Sequence, residues 1–153
     1  LSDEHRILRE LADRSAIRAL IENLAHSIDQ RDFDGILSRA TPNVHFLQIN
    51  EGAAEPNIEL YGRGELLLEL KNLNNIESLS TLLGSCLIEL GGSEATAETN
   101  CVSYVRFVID DDHVLTTVSY RLIDRFTRQD GGDWLIADRH GIVAWTDTRP
   151  SQP

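Results

Sequence analysis

Four runs decide the fold: STLLGSCLIEL (residues 80–90), ATAETNCVSYVRFVI (95–109), HVLTTVSYRLIDRFTR (113–128) and WLIADRHGIVAWT (134–146). β-Branched and aromatic residues crowd them, and turn formers separate them: Gly91-Gly92-Ser93, Asp110-Asp111-Asp112 and Gln129-Asp130-Gly131-Gly132. Long strands joined by such tight turns pair antiparallel, as a meander.

Working upstream, Ile7, Leu8, Leu11, Ile17, Leu20, Ile21, Leu24 and Ile28 recur at helical spacing, with a break expected near Asp13-Arg14-Ser15. Asp32 to Ala40 offers Phe33, Ile36 and Leu37 to one face of a short helix, which Thr41-Pro42-Asn43 ends. Val44 to Ile49 and Ile58 to Tyr61 read as strands around a loop at Gly52 to Asn57. Gly62-Arg63-Gly64 opens a third helix, about Glu65 to Leu73. Helices first and strands afterwards give an α+β class, with N-terminal helices packed over a curved, mostly antiparallel sheet. Residues 1–147 read as a single domain and 148–153 as a frayed tail.

The composition excludes several roles. A length of 153 residues, 41% hydrophobic and 25% charged, suits a globular domain with a real core. No apolar run is long enough to span a bilayer, so no membrane association is expected. No cationic start precedes an apolar stretch, so no signal peptide is read. Met is absent from the sequence, and a start residue ahead of Leu1 is expected. Asp and Glu number 25 against 14 Lys and Arg, for a formal charge of -11. That field repels a phosphate backbone, and the basic residues Arg121, Arg125 and Arg128 are interleaved with Asp124 and Asp130, so nucleic acid is not an expected partner. Cys86 and Cys101 form no Cys-x-x-Cys pair and read as small strand residues in a reducing, cytoplasmic setting.

Two further stretches carry a resemblance. One runs from Ala16-Ile17-Arg18-Ala19-Leu20 through His26-Ser27-Ile28-Asp29-Gln30-Arg31-Asp32-Phe33-Asp34-Gly35-Ile36. The other runs from Tyr120-Arg121-Leu122-Ile123-Asp124-Arg125-Phe126 through Asp130-Gly131-Gly132-Asp133-Trp134-Leu135-Ile136-Ala137-Asp138-Arg139. Together they resemble the SnoaL-like family of the nuclear transport factor two-like superfamily, nearest to its scytalone dehydratase and hexachlorocyclohexane dehydrochlorinase members. The resemblance implies a cone-shaped fold in which helices cover a strongly bent sheet and enclose a ligand pocket. It does not by itself fix the chemistry.

At about 3.6 residues per turn, Asp29 falls on the edge of the apolar helix face centred on Leu20, Leu24 and Ile28. A carboxylate at such a border suits proton transfer; the plainer reading is a helix-end carboxylate bonding its own turn. The resemblance implies that an aspartate here pairs with a histidine on the strand matched by Thr81-Leu82-Leu83-Gly84-Ser85, at the position of Leu82. A leucine cannot accept a proton, so the usual dyad is not present in that form. Period-two alternation separates His140, with Trp134, Ile136, Asp138 and Ile142, from Arg139, with Leu135, Ala137, Val143 and Trp145. Arg139 matches the family arginine that reaches the site, where a guanidinium would bind a developing anion; an ion pair with Asp124 is the structural alternative. Tyr104, on the strand face carrying Glu98, Asn100, Val102 and Arg106, is a further catalytic candidate. Tyr61 and Tyr120 are equal to it by residue type alone. Leu24, Leu82 and Tyr61 are expected to contact a ligand. His5, His45 and His113 read as surface or turn residues and His26 as exposed. No His-x-His or His-x-x-x-His spacing occurs, so no metal or cofactor is expected.

The expected function is that of a cofactor-independent lyase or isomerase acting on a small, largely apolar hydroxylated or carbonyl compound. A non-catalytic small-ligand-binding or assembly module of the same fold is the alternative that Leu82 raises, and a polyketide-cyclase-type protein is a third. Apolar residues on both faces of the last strand, Trp134 and Trp145 among them, predict a homo-dimer or homo-trimer.

Overall fold

The computed structural model describes residues 2–153; Leu1 lies outside them. The chain opens on α1 (Asp3–Asp29), whose N-cap Ser2 accepts the His5 amide at 3.3 Å and whose first turn carries Asp3 and Glu4 against the positive helix end. α1 runs unbroken through Asp13-Arg14-Ser15, contrary to the sequence expectation. The physical reason is that Asp13 is buried and paired. Its carboxylate accepts from Arg128 Nη2 at 2.9 Å and from the Trp134 indole at 3.3 Å, and the Arg128 guanidinium lies 4.5 Å over the Trp134 ring. Ile7, Leu8 and Leu11, read as part of the buried stripe, stand exposed.

Arg31 ends α1 with a left-handed φ of 56° and donates to the Leu73 and Ile76 carbonyls at 2.9 and 2.7 Å, tying the helix end to a distant turn. α2 (Phe33–Ser38) is capped by Asp32, which accepts the Gly35 amide at 3.0 Å. A Cβ on Gly35 would stand 2.2 Å from the same carboxylate, so any other residue there would displace the capping side chain. β1 (Ala40–Asn50) starts at once, and the chain continues through β2 (Ile58–Tyr61), α3 (Gly62–Leu70) and a 3-10 turn (Lys71–Asn75). The strands β3 (Ser78–Gly91), β4 (Glu94–Ile109), β5 (Asp112–Thr127) and β6 (Leu135–Pro150) follow.

The six strands lie in the order β2-β1-β6-β5-β4-β3. All neighbours are antiparallel except β1 and β6, which run parallel with His45 opposite Asp138. The sheet is curved, mixed and open, and the helices cover its inner face, as the α+β class implies. Thr148 to Pro150, expected as a frayed tail, extend β6 against β5, and the Ser151 amide bonds the His113 carbonyl at 2.8 Å. The core joins Ile17, Ile21 and Leu24 of α1 to Ile36, Val44, Leu66, Phe126 and Ile136.

Besides the shift between Ala40 and His45 in the β1–β6 ladder, three irregularities re-aim side chains. Register shifts lie between Leu83 and Cys86 in β3 and, in the β5–β6 ladder, at Arg125/Phe126 and Ser119/Tyr120. Each inserts an extra residue and switches the alternation by one. Strict period two therefore misplaces part of β6. Ile136 and Trp134 are buried with the core, Arg139 and Val143 face inward as expected, and Trp145 turns outward.

Candidate functional site

Between α1, α3 and the inner face of the sheet lies a cavity of about 420 Å³, within the usual size range of small-molecule sites. Ile21 and Ile28 of α1, Leu66 and Leu70 of α3 and Phe46, Leu83 and Val118 of the sheet give it apolar walls. Thr81, Ser103, Tyr120 and Arg139 place polar atoms on the same lining. They come from β3, β4, β5 and β6 in turn, so four consecutive strands of the sheet each supply one group.

Asp29, the last residue of α1, is half-buried and both its oxygens are engaged by one residue. Thr81 donates its amide to Oδ2 and its hydroxyl to Oδ1, each at 2.8 Å. Thr81 Oγ1 lies 3.3 Å from Ser103 Oγ, which lies 2.8 Å from the Tyr120 hydroxyl. Hydroxyl valence fixes the direction of this chain. The single Thr81 hydrogen goes to the carboxylate, which only accepts, so Thr81 must accept from Ser103; Ser103 has then spent its hydrogen and must accept from Tyr120. The chain runs Tyr120 to Ser103 to Thr81 to Asp29, and it leaves the Tyr120 oxygen with its lone pairs unspent.

Burial pushes the Tyr120 phenol above its ordinary pKa, against the opposing pull of the Arg139 charge. Arg139 is buried and forks onto Asp124, Nε to Oδ1 and Nη2 to Oδ2, both at 2.8 Å. Burial alone would favour its neutral form, but the Asp124 carboxylate outweighs that and holds the guanidinium charged. The structural pairing foreseen for Arg139 is therefore made, and the same side chain also lines the cavity. Cys101 is buried nearby with its thiol pushed up to about 11, chiefly by desolvation, so it stays protonated.

Of the residues singled out from sequence, Arg139 reaches the cavity and Asp29 touches it through Thr81. The other four are elsewhere. Leu24 is fully buried in the core beneath the cavity wall. Leu82 is 58% exposed and Tyr104 39% exposed, both on the outer face, because they alternate with the inward Thr81, Leu83, Ser103 and Val105. Tyr61 is 61% exposed and stacks on His45 at 4.7 Å. The side chain opposite Asp29 is thus Thr81, not Leu82. The register shifts just after Leu83, so the alternation of Thr81 and Leu83 does not carry on in phase to Cys86. Sequence reasoning ranked Tyr120 no higher than the other tyrosines; its alternation with Val118, Leu122 and Phe126 was the signal that marks it as inward.

A curved sheet roofed by helices over a largely apolar cavity defines a class of α+β domains. The model of the SnoaL-like domain matches residues 9–140, and the chain belongs to that family. Sequence comparison with curated proteins gives no match. Among solved structures, a candidate scytalone dehydratase of Novosphingobium aromaticivorans superposes with a TM-score of 0.76 at 15% identity, covering 94% of each chain. A hexachlorocyclohexane dehydrochlorinase, LinA-type3 of Novosphingobium barchaimii, gives 0.73 at 17% identity, covering 94% of this chain and 93% of the other. An NTF2-like protein with a cystatin-like fold, also from Novosphingobium aromaticivorans, gives 0.70 at 19%, covering 94% and 89%. At these identities the likeness is one of fold.

Proposed function

We propose that the chain is a cofactor-independent lyase or isomerase that moves a proton on a small, largely apolar compound bearing a hydroxyl or carbonyl. The observation that carries this reading is the directed hydroxyl chain from the cavity to Asp29. When Tyr120 oxygen takes a proton from a substrate carbon, its own proton passes to Ser103, that of Ser103 to Thr81, and that of Thr81 to Asp29. The carboxylate ends protonated and the substrate carries the electron pair of the broken C–H bond. Arg139 stabilises the charge so formed in a site of low polarity. Reversal of the chain returns the proton to another carbon in an isomerisation, or to a departing oxygen in a dehydration. The dehydratase and dehydrochlorinase among the similar folds support the lyase reading by analogy.

The test reads proton transfer without requiring the product. Small cyclic ketones and hydroxyketones are incubated with the protein in deuterated water, and exchange at the carbon next to the carbonyl is followed by NMR. Wild type is expected to accelerate exchange. Asp29→Asn and Tyr120→Phe are each expected to lose about 10²–10⁴-fold, the usual weight of a positioned acid–base group. Full exchange in both variants would sink the assignment.

A binding module is the second reading, favoured by one specific observation: Asp29 and Arg139 each already hold an internal partner. Ligand binding without any exchange by wild type would select it. Self-association as a homo-dimer or homo-trimer through the outer face of the sheet belongs to either reading, as does a reducing, cytoplasmic setting for the free Cys86 and Cys101. No helix among the described residues is long and apolar enough to cross a membrane.

A further inference from the structure

On the outer face of the sheet, behind the cavity, β1 and β6 bring together a cluster that sequence spacing did not reveal. The parallel register sets His45 opposite Asp138, and His140 follows Asp138 by two residues, so all three side chains share one face. His45 Nδ1 stands 2.7 Å from Asp138 Oδ1, and His140 Nε2 stands 3.6 Å from the same oxygen. The two imidazoles meet edge to face, with ring centroids 5.5 Å apart. One donor atom from each of the three residues falls within 4.8 Å of the others.

The surroundings orient these groups for a cation. Glu59 Oε1 lies 2.9 Å from His45 Nε2 and also accepts the Tyr61 hydroxyl at 2.7 Å, while Tyr61 stacks on the ring. With Nε2–H donating to Glu59, Nδ1 meets a carboxylate oxygen, a contact that a shared proton holds in the metal-free chain. A divalent ion would replace that contact by drawing both atoms to itself, whereas a proton makes no use of His140. Arg125 Nη2 holds the other Asp138 oxygen at 2.9 Å, so Oδ1 is the one left to the cluster. A carboxylate on the far nitrogen of a ligating histidine is the arrangement that fixes tautomer and ring angle in metal sites. Two imidazoles and one carboxylate suit zinc or a neighbouring first-row divalent ion.

We propose that His45 Nδ1, Asp138 Oδ1 and His140 Nε2 bind a divalent transition-metal ion of the zinc type, with Glu59 positioning His45 and water completing the coordination. Three partly exposed ligands on strands leave open positions, so the site takes up metal reversibly and at modest affinity. Asp138 and His140 flank Arg139, whose side chain points the other way into the cavity; the ion would therefore stiffen the strand that carries it.

The test uses the untagged chain, stripped with chelator, and Zn²⁺ or Co²⁺ alone. One equivalent of Zn²⁺ is expected to bind saturably by calorimetry. His45→Ala and His140→Ala should each weaken it at least tenfold, and Glu59→Gln by the ~10–100-fold typical of an outer partner. His113→Ala should leave it unchanged. Independently of any variant, Co²⁺ should broaden the ring resonances of His45 and His140 well before those of His5, His26 and His113. Absence of saturable uptake, uptake indifferent to both histidine variants, or uniform broadening of all five histidines would each overturn the proposal.

Discussion

Thr81 is the hinge of the proposed chemistry, since among the described residues it connects the Asp29 carboxylate to the cavity. Thr81→Val keeps the shape and the backbone bond to Asp29 Oδ2 but removes the hydroxyl link. Ligand affinity measured by calorimetry should change little, whereas solvent deuterium exchange should fall about 10²-fold or more; parallel losses in both would mean that Thr81 serves only to build the wall. Titration gives a second residue-scale prediction. The Cys101 thiol, ordinarily near 9.0, is pushed up to about 11 by burial, and the Tyr120 phenol is raised from 10.0. Both pKa values are higher in the folded than in the unfolded chain, so the folded state holds its protons longer. Their stabilising share is complete below about pH 9 and is lost as the pH rises through the folded values. Urea midpoints should fall from about pH 9 upward, and Cys101→Ala with Tyr120→Phe should flatten that fall. Residue type made Asp29 and Arg139 visible in the sequence, because charges stand out beside apolar stripes. Thr81, Ser103 and Tyr120 were harder to see, since hydroxyls acquire meaning only through cross-strand neighbours.

At the scale of elements, α1 and β6 were legible in existence and only partly in detail. Turn chemistry and alternation located the strands, but a bulge leaves no reliable mark in a single sequence. Two shifts along β6 were enough to put Trp134 and Ile136 on the wrong face and to send Trp145 outward. The missing break in α1 has the same origin: Asp13 looks like a helix breaker until Arg128 and Trp134, more than a hundred residues away, are seen to satisfy it. Asp13→Ala leaves Arg128 and the indole N–H without their buried acceptor, and breaking a buried pair in this way costs about 3–5 kcal/mol. Chemical denaturation should register a loss near the lower end of that range, because Arg128 is partly exposed; a change below about 0.5 kcal/mol, the level of an ordinary surface substitution, would mean that the cluster does not pin the helix.

At the scale of the molecule, the parallel contact between β1 and β6 could not be read from the chain, because it joins segments more than ninety residues apart. That contact places Arg139 on one side of the sheet and the paired histidines on the other. The outer face also carries a row formed by Leu82, Val102, Ser119 and Trp145, with Tyr104 beside it. Leu82, Tyr104 and Trp145, spread over β3, β4 and β6, are more apolar surface than an isolated sheet face needs. Sedimentation at high concentration should give a dimer or trimer, and Trp145→Asp should shift it toward monomer; a wild-type monomer under those conditions would refute self-association.

The direction of the hydroxyl chain has a consequence for the choice of guest. While Asp29 is ionised, every hydrogen along the chain is committed away from the cavity, so Tyr120 presents an acceptor. An alcohol can give its hydrogen to that oxygen; the matching methyl ether cannot, and leaves the buried phenolic oxygen unpaired. Sites built to pair a substrate hydroxyl reject analogues without it by factors of up to ~10⁴–10⁵. A tyrosine that reads the sign of its guest's dipole would make this pocket a filter for alcohols over ethers of equal size and greasiness, and competition between such a pair is the experiment that reads it.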